Sequence, residues 1–249
     1  MLILNMSLYT FTYQATYTVV HTLYEFLELL YYFIYNCYQI LVNLYDKYAA
    51  TDDQQYVARN VKSLKLIPTH ITIILANEKP SYKDLSKLIL WCISSGITYI
   101  SFYDHKGILK NSEEKLQEAV EEVKRDNVHV VWLNKNRYKN GFVGKKIYVR
   151  TLSLADGREN IANVAKKFCA DNVKNIDIET IDRNLKEKYV FPDPDLCLYC
   201  GKIFSLYGYP PWEIRLTEFI SIETHHSISP RKFVNALYRY SKTEMRQGR

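Results

Sequence analysis

From residue 70 onward, short β-branched and aromatic runs alternate with longer stretches whose apolar residues recur at helical spacing. No other feature of the chain restricts its fold as strongly. Residues 70–76 (HITIILA), 97–103 (ITYISFY), 128–133 (VHVVWL) and 146–150 read as strands, the first as a near-continuous apolar run of the kind buried on both faces. Between the first two, Pro80 and Ser81 open a helix with Leu85, Leu88, Ile89, Cys92 and Ile93 on one stripe and Gly96 as its stop. Asn111 with Glu114 predicts a capped start for a helix carrying Leu116, Ala119, Val120 and Val123. Further helical patterns cover 156–171 and 177–187, and Ser229-Pro230 match an N-cap and first helical position ahead of Phe233, Ala236, Leu237 and Tyr240. Strands separated by helices require right-handed crossovers, so the expectation is an α/β domain with a mostly parallel sheet flanked by helices.

The first part of the chain follows other rules. Residues 1–24 contain no Asp, Glu, Lys or Arg, and Glu25, Glu28 and Asp46 are the only such residues before Lys47, although the chain as a whole is +6. Half of the 22 tyrosines lie at or before Tyr56. A tyrosine ring is apolar and its hydroxyl seeks water, so the residue gathers where hydrocarbon meets headgroups. Asn36, Gln39 and Asn43 interrupt the apolar stretch, which either spans weakly or lies along the interface as an amphipathic helix. The alternative is a tyrosine-rich helix packed on the soluble core. Lys47, as the first basic residue after the stretch, assigns the remainder to the cytosolic side. The expected organisation is therefore a membrane-associated segment at 1–48, a polar linker at 49–67 and one domain at 68–249. Five cysteines, an odd number, argue against a disulfide scaffold.

Several catalytic motifs fail by their spacing. Gly144-Lys145 lacks the phosphate-loop pattern, with Lys139 where the first glycine belongs and Lys146 where Ser or Thr belongs. Cys197 and Cys200 have half-zinc or redox spacing but no second pair, and His225 and His226 are distant in sequence. The cationic stretch 134–146, with Tyr138 and Phe142, fits an RNA or anionic surface or, better, a solvated hairpin turning at Asn140-Gly141. Asp104-His105 sits where a strand ends, a ligand position in open α/β sheets, and a capped loop explains it equally well.

Five motifs together carry a resemblance. They are Trp91-Cys92 before Gly96-Ile97, Tyr103-Asp104-His105-Lys106-Gly107-Ile108, Pro192-Asp193-Pro194-Asp195-Leu196, Pro211-Trp212 before Ile214-Arg215-Leu216-Thr217-Glu218, and Arg246-Gln247-Gly248. On these the chain resembles cis-prenyltransferases, and most closely the accessory (Nogo-B receptor-like) subunits of eukaryotic dehydrodolichyl diphosphate synthase. Catalytic members carry Asp-Gly-Asn after the first strand, the Asp serving diphosphate-bound Mg²⁺, and an Arg cluster near the late segment. Here those places read Ala76-Asn77-Glu78 and Leu198-Tyr199-Cys200-Gly201-Lys202. A methyl group binds no cation, and Tyr199 offers no fork of N–H donors to phosphate.

The resemblance thus implies a non-catalytic subunit with no catalytic or metal residue of its own. Its catalytic partner would hold Mg²⁺, condense isopentenyl diphosphate and make polyprenyl diphosphate for dolichol and protein glycosylation. Arg246, Gln247 and Gly248 would complete the partner's diphosphate site. It further implies an endoplasmic reticulum membrane location, with no nucleic acid among the partners. The rivals are a membrane scaffold with a degenerate fold and no part in synthesis, and a self-sufficient prenyltransferase, which Ala76 opposes.

Overall fold

The computed structural model describes residues 2–48, 52–133, 144–186 and 191–243, with side chains of 2–10, 39 and 42–48 excepted. It divides into two units, Met1–Ala50 and Thr51–Arg249. The first is one helix, α1 (Leu2–Tyr48). Its large side chains face outward, Phe11 70% and Tyr31 72% exposed. Thr16, Thr18 and Thr22 return their hydroxyls to the backbone carbonyls one turn back, so these polar groups are satisfied within the helix. Among the described residues, no helix is long and apolar enough to cross a membrane.

The second unit is built on six strands, β1 (His70–Ile74), β2 (Tyr99–Tyr103), β3 (Val128–Trp132), β4 (Lys145–Leu152), β5 (Leu196–Cys200) and β6 (Glu218–Glu223). They form one sheet in the order β3-β4-β2-β1-β5-β6, and every neighbouring pair is parallel. β1 is central and wholly buried, as its apolar run requires. Its alternation sorts two cores. Ile71 and Ile73 join the larger one, and Ile74 joins a smaller one with Tyr103, Leu152, Cys197 and Tyr209. β3 and β4 pair in parallel, so they are not the two arms of a tight hairpin, and the turn expected at Asn140-Gly141 lies outside the described residues.

Helices α2 (Asp53–Val61), α3 (Tyr82–Ser95), α4 (Ile108–Asn111), α5 (Glu113–Val123), α6 (Arg158–Ala170), α7 (Ile178–Lys186) and α8 (Pro230–Ser241) complete the unit. On α3 the predicted stripe is buried, each Leu or Ile contributing about 1.5–3 kcal/mol. Gly96 ends α3 at φ 81°, a left-handed position where a side chain is strained. Ser229 caps α8 by accepting the Lys232 N–H, with Pro230 in the first turn. Two expectations change. Asn111 closes the short α4 and Ser112 precedes α5, because Asp104 draws the chain into a turn before the helix can begin. Within the expected linker α2 forms, since Val57 and Val61 stand one turn apart and both enter the main core.

Candidate functional site

In a parallel sheet, ligands meet the loops beyond the strands' C-terminal ends. Beyond β1 the chain turns through Ala76, held at φ 54° although it carries a Cβ, and Glu78 donates its N–H back to the Leu75 carbonyl at 3.0 Å. This is where the sequence lacks the metal-handling Asp. Ala76 is buried and offers only a methyl group. Glu78 is instead committed within the chain. Its Oε2 accepts the His225 ring Nδ1–H at 2.6 Å and the His225 backbone N–H at 3.3 Å. The other ring nitrogen, Nε2, accepts the Ser81 N–H at 3.0 Å. Next to it, Asp84 Oδ2 accepts the Ser81 hydroxyl at 2.7 Å and the Ser227 N–H at 3.1 Å. The turn between β6 and α8 is thus bonded into the entrance of α3.

Cys200 completes this cluster, its Sγ 3.7 Å from His225 Nδ1, and the three ligand atoms lie within 4.8 Å of one another. The sequence spacing argued against this meeting, and the sheet produces it by pairing β5 between β1 and β6. The residue types suit zinc, but the proton positions do not. With Nε2 accepting an N–H, a neutral ring carries its proton on Nδ1, so a hydrogen faces Glu78 and Cys200 where a metal needs a lone pair. Burial, with the His226 ring beside it, holds His225 below the usual histidine pKa, in favour of the neutral ring. Burial and the Glu78 charge push the Cys200 thiol up, away from the thiolate that would bind metal or act as nucleophile. Both partners meet the same ring nitrogen, so the trio is not a catalytic relay either. For Mg²⁺ the fit is equally poor, since Ala76 offers no oxygen side chain and Glu78 and Asp84 already accept hydrogen bonds within the chain. The cluster is a closure.

The remaining motifs build the frame around it. Asp195 accepts the N–H groups of Thr69 and His70 at 2.7 and 3.0 Å, and Asp193 pairs with Arg215 at 3.0 Å. Trp212 donates its indole N–H to Asp182 at 3.0 Å, and Glu213 pairs with Arg150. Sequence reading missed Arg150, a buried cation on β4 that no motif marks. Its Nε–H donates to Ser101 Oγ at 2.7 Å, Ser101 donates to His70 Nε2 at 2.7 Å, and His70 Nδ1–H reaches the Pro192 carbonyl at 2.7 Å. Burial, with the Arg150 charge beside it, holds His70 well below the usual histidine pKa. Arg150 stays charged because Glu213 and Tyr209 outweigh its burial.

Asp104 serves the loop, accepting the Lys106 and Leu109 N–H groups at 3.0 and 3.1 Å, while His105 stacks on Tyr207 with ring centroids 5.3 Å apart. Cys197 and Cys200 are both buried free thiols in different cores, on opposite faces of β5. Tyr199, where an Arg was missing, packs edge-on against Phe204. Arg246, Gln247 and Gly248, and most of the basic stretch 134–146, lie outside the described residues.

No protein-family model matches the chain. Among curated proteins, the dehydrodolichyl diphosphate synthase complex subunit Nus1 of Mus musculus is 32% identical over 219 residues, covering 81% of this chain and 72% of the mouse protein. The subunit NUS1 of Homo sapiens is also 32% identical, over 76% of this chain and 69% of its own. Among solved structures, lavandulyl diphosphate synthase from Lavandula x intermedia, in complex with dimethylallyl diphosphate, superposes with a TM-score of 0.54 at 16% identity. It covers 72% of this chain and 97% of the Lavandula chain, a likeness of fold to the cis-prenyltransferases. With the fold matched and a third of the residues shared over most of both chains, the protein belongs to the NUS1 family of dehydrodolichyl diphosphate synthase complex subunits.

Proposed function

We propose that this chain is the non-catalytic subunit of a heteromeric cis-prenyltransferase. Its catalytic partner binds Mg²⁺ and adds isopentenyl diphosphate to a growing polyprenyl diphosphate for dolichol synthesis. The observation that carries this reading is the closed turn beyond β1. Ala76 supplies no ligand, and Glu78, Ser81 and Asp84 are bonded to His225 and Ser227, where a diphosphate would need free donors. A chain whose own anion site is filled by its own side chains contributes to the reaction through a partner. The terminal Arg246-Gln247-Gly248 supplies that contribution: a guanidinium fork for phosphate oxygens and a backbone N–H at a residue with no side chain in the way.

The helix α1 supports a location on the endoplasmic reticulum membrane. Its outward tyrosines and aliphatic side chains, and threonine hydroxyls bonded to the helix backbone, suit the interface between headgroups and acyl chains. The second unit then faces the cytosol.

The test is incorporation of radiolabelled isopentenyl diphosphate by this chain alone, by its catalytic partner alone and by the two together. Product from the mixture and none from this chain is the expected result. Robust turnover by the pure chain refutes the non-catalytic role. Equal turnover by the partner with and without this chain leaves the scaffold reading in its place.

A further inference from the structure

Tyr17, Tyr24, Tyr31 and Tyr38 stand on α1 at intervals of seven residues, and Tyr13, Val20, Leu27 and Ile34 stand four places before each of them. Together they fill the a and d places of a heptad repeat across residues 13–38. A stripe that only faces lipid follows about 3.6 residues per turn and drifts about 20° from a seven-residue repeat in every heptad. A strict repeat keeps a second helix in contact through a left-handed supercoil. All eight side chains are bare in the single chain, from Leu27 at 53% exposed to Tyr31 at 72%. Since a buried aromatic side chain withdraws about 150–250 Å² from solvent, closing this seam removes about 800 Å² per helix, which is what a stable interface uses on each side. The edges of the seam differ in chemistry. Gln14, His21 and Glu28 occupy the e places along one edge, and Leu23, Leu30 and Cys37 the g places along the other.

We propose that α1 pairs antiparallel with α1 of a second copy of this chain along the tyrosine seam. A parallel pair sets tyrosine against tyrosine in each a layer and places the two polar edges on opposite sides. An antiparallel pair sets tyrosine against an aliphatic side chain, large against small, and brings both polar edges to one side. Charge then chooses the register. Two antiparallel registers match tyrosines to aliphatic residues, and one of them opposes Glu28 to Glu28 of the second copy, like charge to like. The other opposes Glu28 to His21 of the second copy, twice by symmetry, and layers Tyr17 on Ile34, Val20 on Tyr31 and Tyr24 on Leu27. In that register the pair has one polar and one apolar face, which suits the membrane interface proposed above. The seam itself depends neither on that location nor on the non-catalytic role.

The experiment is pulsed electron spin resonance on the full-length chain in an excess of neutral detergent micelles. The spin label is carried by Cys37, Cys169→Ser removes the exposed thiol, and Cys92, Cys197 and Cys200 are buried. In the chosen register Cys37 sits opposite Gln14 of the second copy, so the expected separation of the two labelled residues is about 35 Å along the axis. The register that opposes Glu28 to itself shortens it to about 24 Å, and a parallel pair to below about 20 Å. Either shorter distance, or no dipolar coupling, overturns the proposal. Tyr24→Glu puts a charge into the seam and is expected to abolish the 35 Å distance (about 23 residues of helix rise), while Phe26→Glu on the outer side of the helix keeps it. Loss in both variants or in neither overturns the seam. Helical circular dichroism and tryptophan emission matching wild type show that each variant is folded. If Tyr24→Glu loses its helical signal, Tyr24→Ala combined with Leu27→Ala takes its place under the same expectation.

Discussion

Replacing Arg150 with Met is expected to cost about as much stability as truncating a large apolar side chain in the sheet. The side chain is 5% exposed and faces a Glu213 side chain 18% exposed. Its guanidinium makes two bonds to Glu213 and one to Ser101, and lies 4.6 Å from the centroid of the Phe191 ring. Methionine fills much of the volume but leaves the Glu213 carboxylate largely desolvated and unpaired, a loss of about 3–5 kcal/mol. Partial access of Glu213 to water pulls that figure down, and the lost ring contact of about 1 kcal/mol pulls it up. The net expectation is about 4 kcal/mol. Urea unfolding followed by tryptophan fluorescence reads the right unit, because Trp91, Trp132 and Trp212 all lie beyond α1. With a urea slope of about 2 kcal/mol per molar, the midpoint falls by about 2 M. Pairing Arg150→Met with Glu213→Leu removes the orphaned charge and should recover most of the loss. A midpoint within about 0.5 M of wild type for Arg150→Met alone would refute the reasoning, because a largely desolvated carboxylate that has lost its cation costs more than about 1 kcal/mol.

Three other outcomes follow from the same structure. His70 and His225 are held below the usual pKa of 6.5 in the folded chain, so on acidification through that value the unfolded chain takes up protons that the folded one refuses. Stability should be level above about pH 7 and decline as pH falls below about 6.5, more steeply with both histidines than in His225→Gln; equal urea midpoints at about pH 7.5 and 5.5 would contradict this. Ala76→Asp should restore no prenyl transfer to the isolated chain, since Glu78 stays bonded to His225 and residues 198–202 contain no Arg; measurable product above the wild-type blank would show otherwise. In the assembled heteromer, Arg246→Ala should slow isopentenyl diphosphate turnover about 10- to 100-fold, the value of a charge-assisted phosphate contact of about 1.5–3 kcal/mol, with Arg246→Lys recovering part of it.

The sequence was most legible where burial imposes a period. β1, β2, α3 and α8 follow from their apolar spacing and from punctuation such as Gly96 and Ser229-Pro230, and the domain's parallel sheet follows from their alternation. β5 and β6 were not read as strands. Cysteines take two of the five places in β5, and Glu218, Ser221 and Glu223 dilute the apolar run of β6. Two valines make α2 a core helix inside an otherwise polar stretch, a signal too thin to outweigh its composition. The site was half legible. Ala76 and Tyr199 stand where the resemblance to cis-prenyltransferases places an Asp and an Arg, so the missing chemistry is legible through that resemblance. What fills the gap was hidden, because Glu78, Cys200 and His225 meet only through the β1-β5-β6 pairing, and no linear spacing encodes that. Arg150 was hidden for the same reason, its partners Ser101, Phe191 and Glu213 lying on three other segments.

In the proposed function, the turn beyond β1, where catalytic members would bind diphosphate, is closed in this chain by its own side chains. Titration calorimetry of inorganic pyrophosphate with Mg²⁺ into the isolated full-length chain tests it without a partner or a product. The closed turn predicts no saturable binding up to about 1 mM ligand. Saturable binding in the micromolar range, weakened by Glu78→Ala or His225→Phe, would show an open site built from these residues and contradict the account.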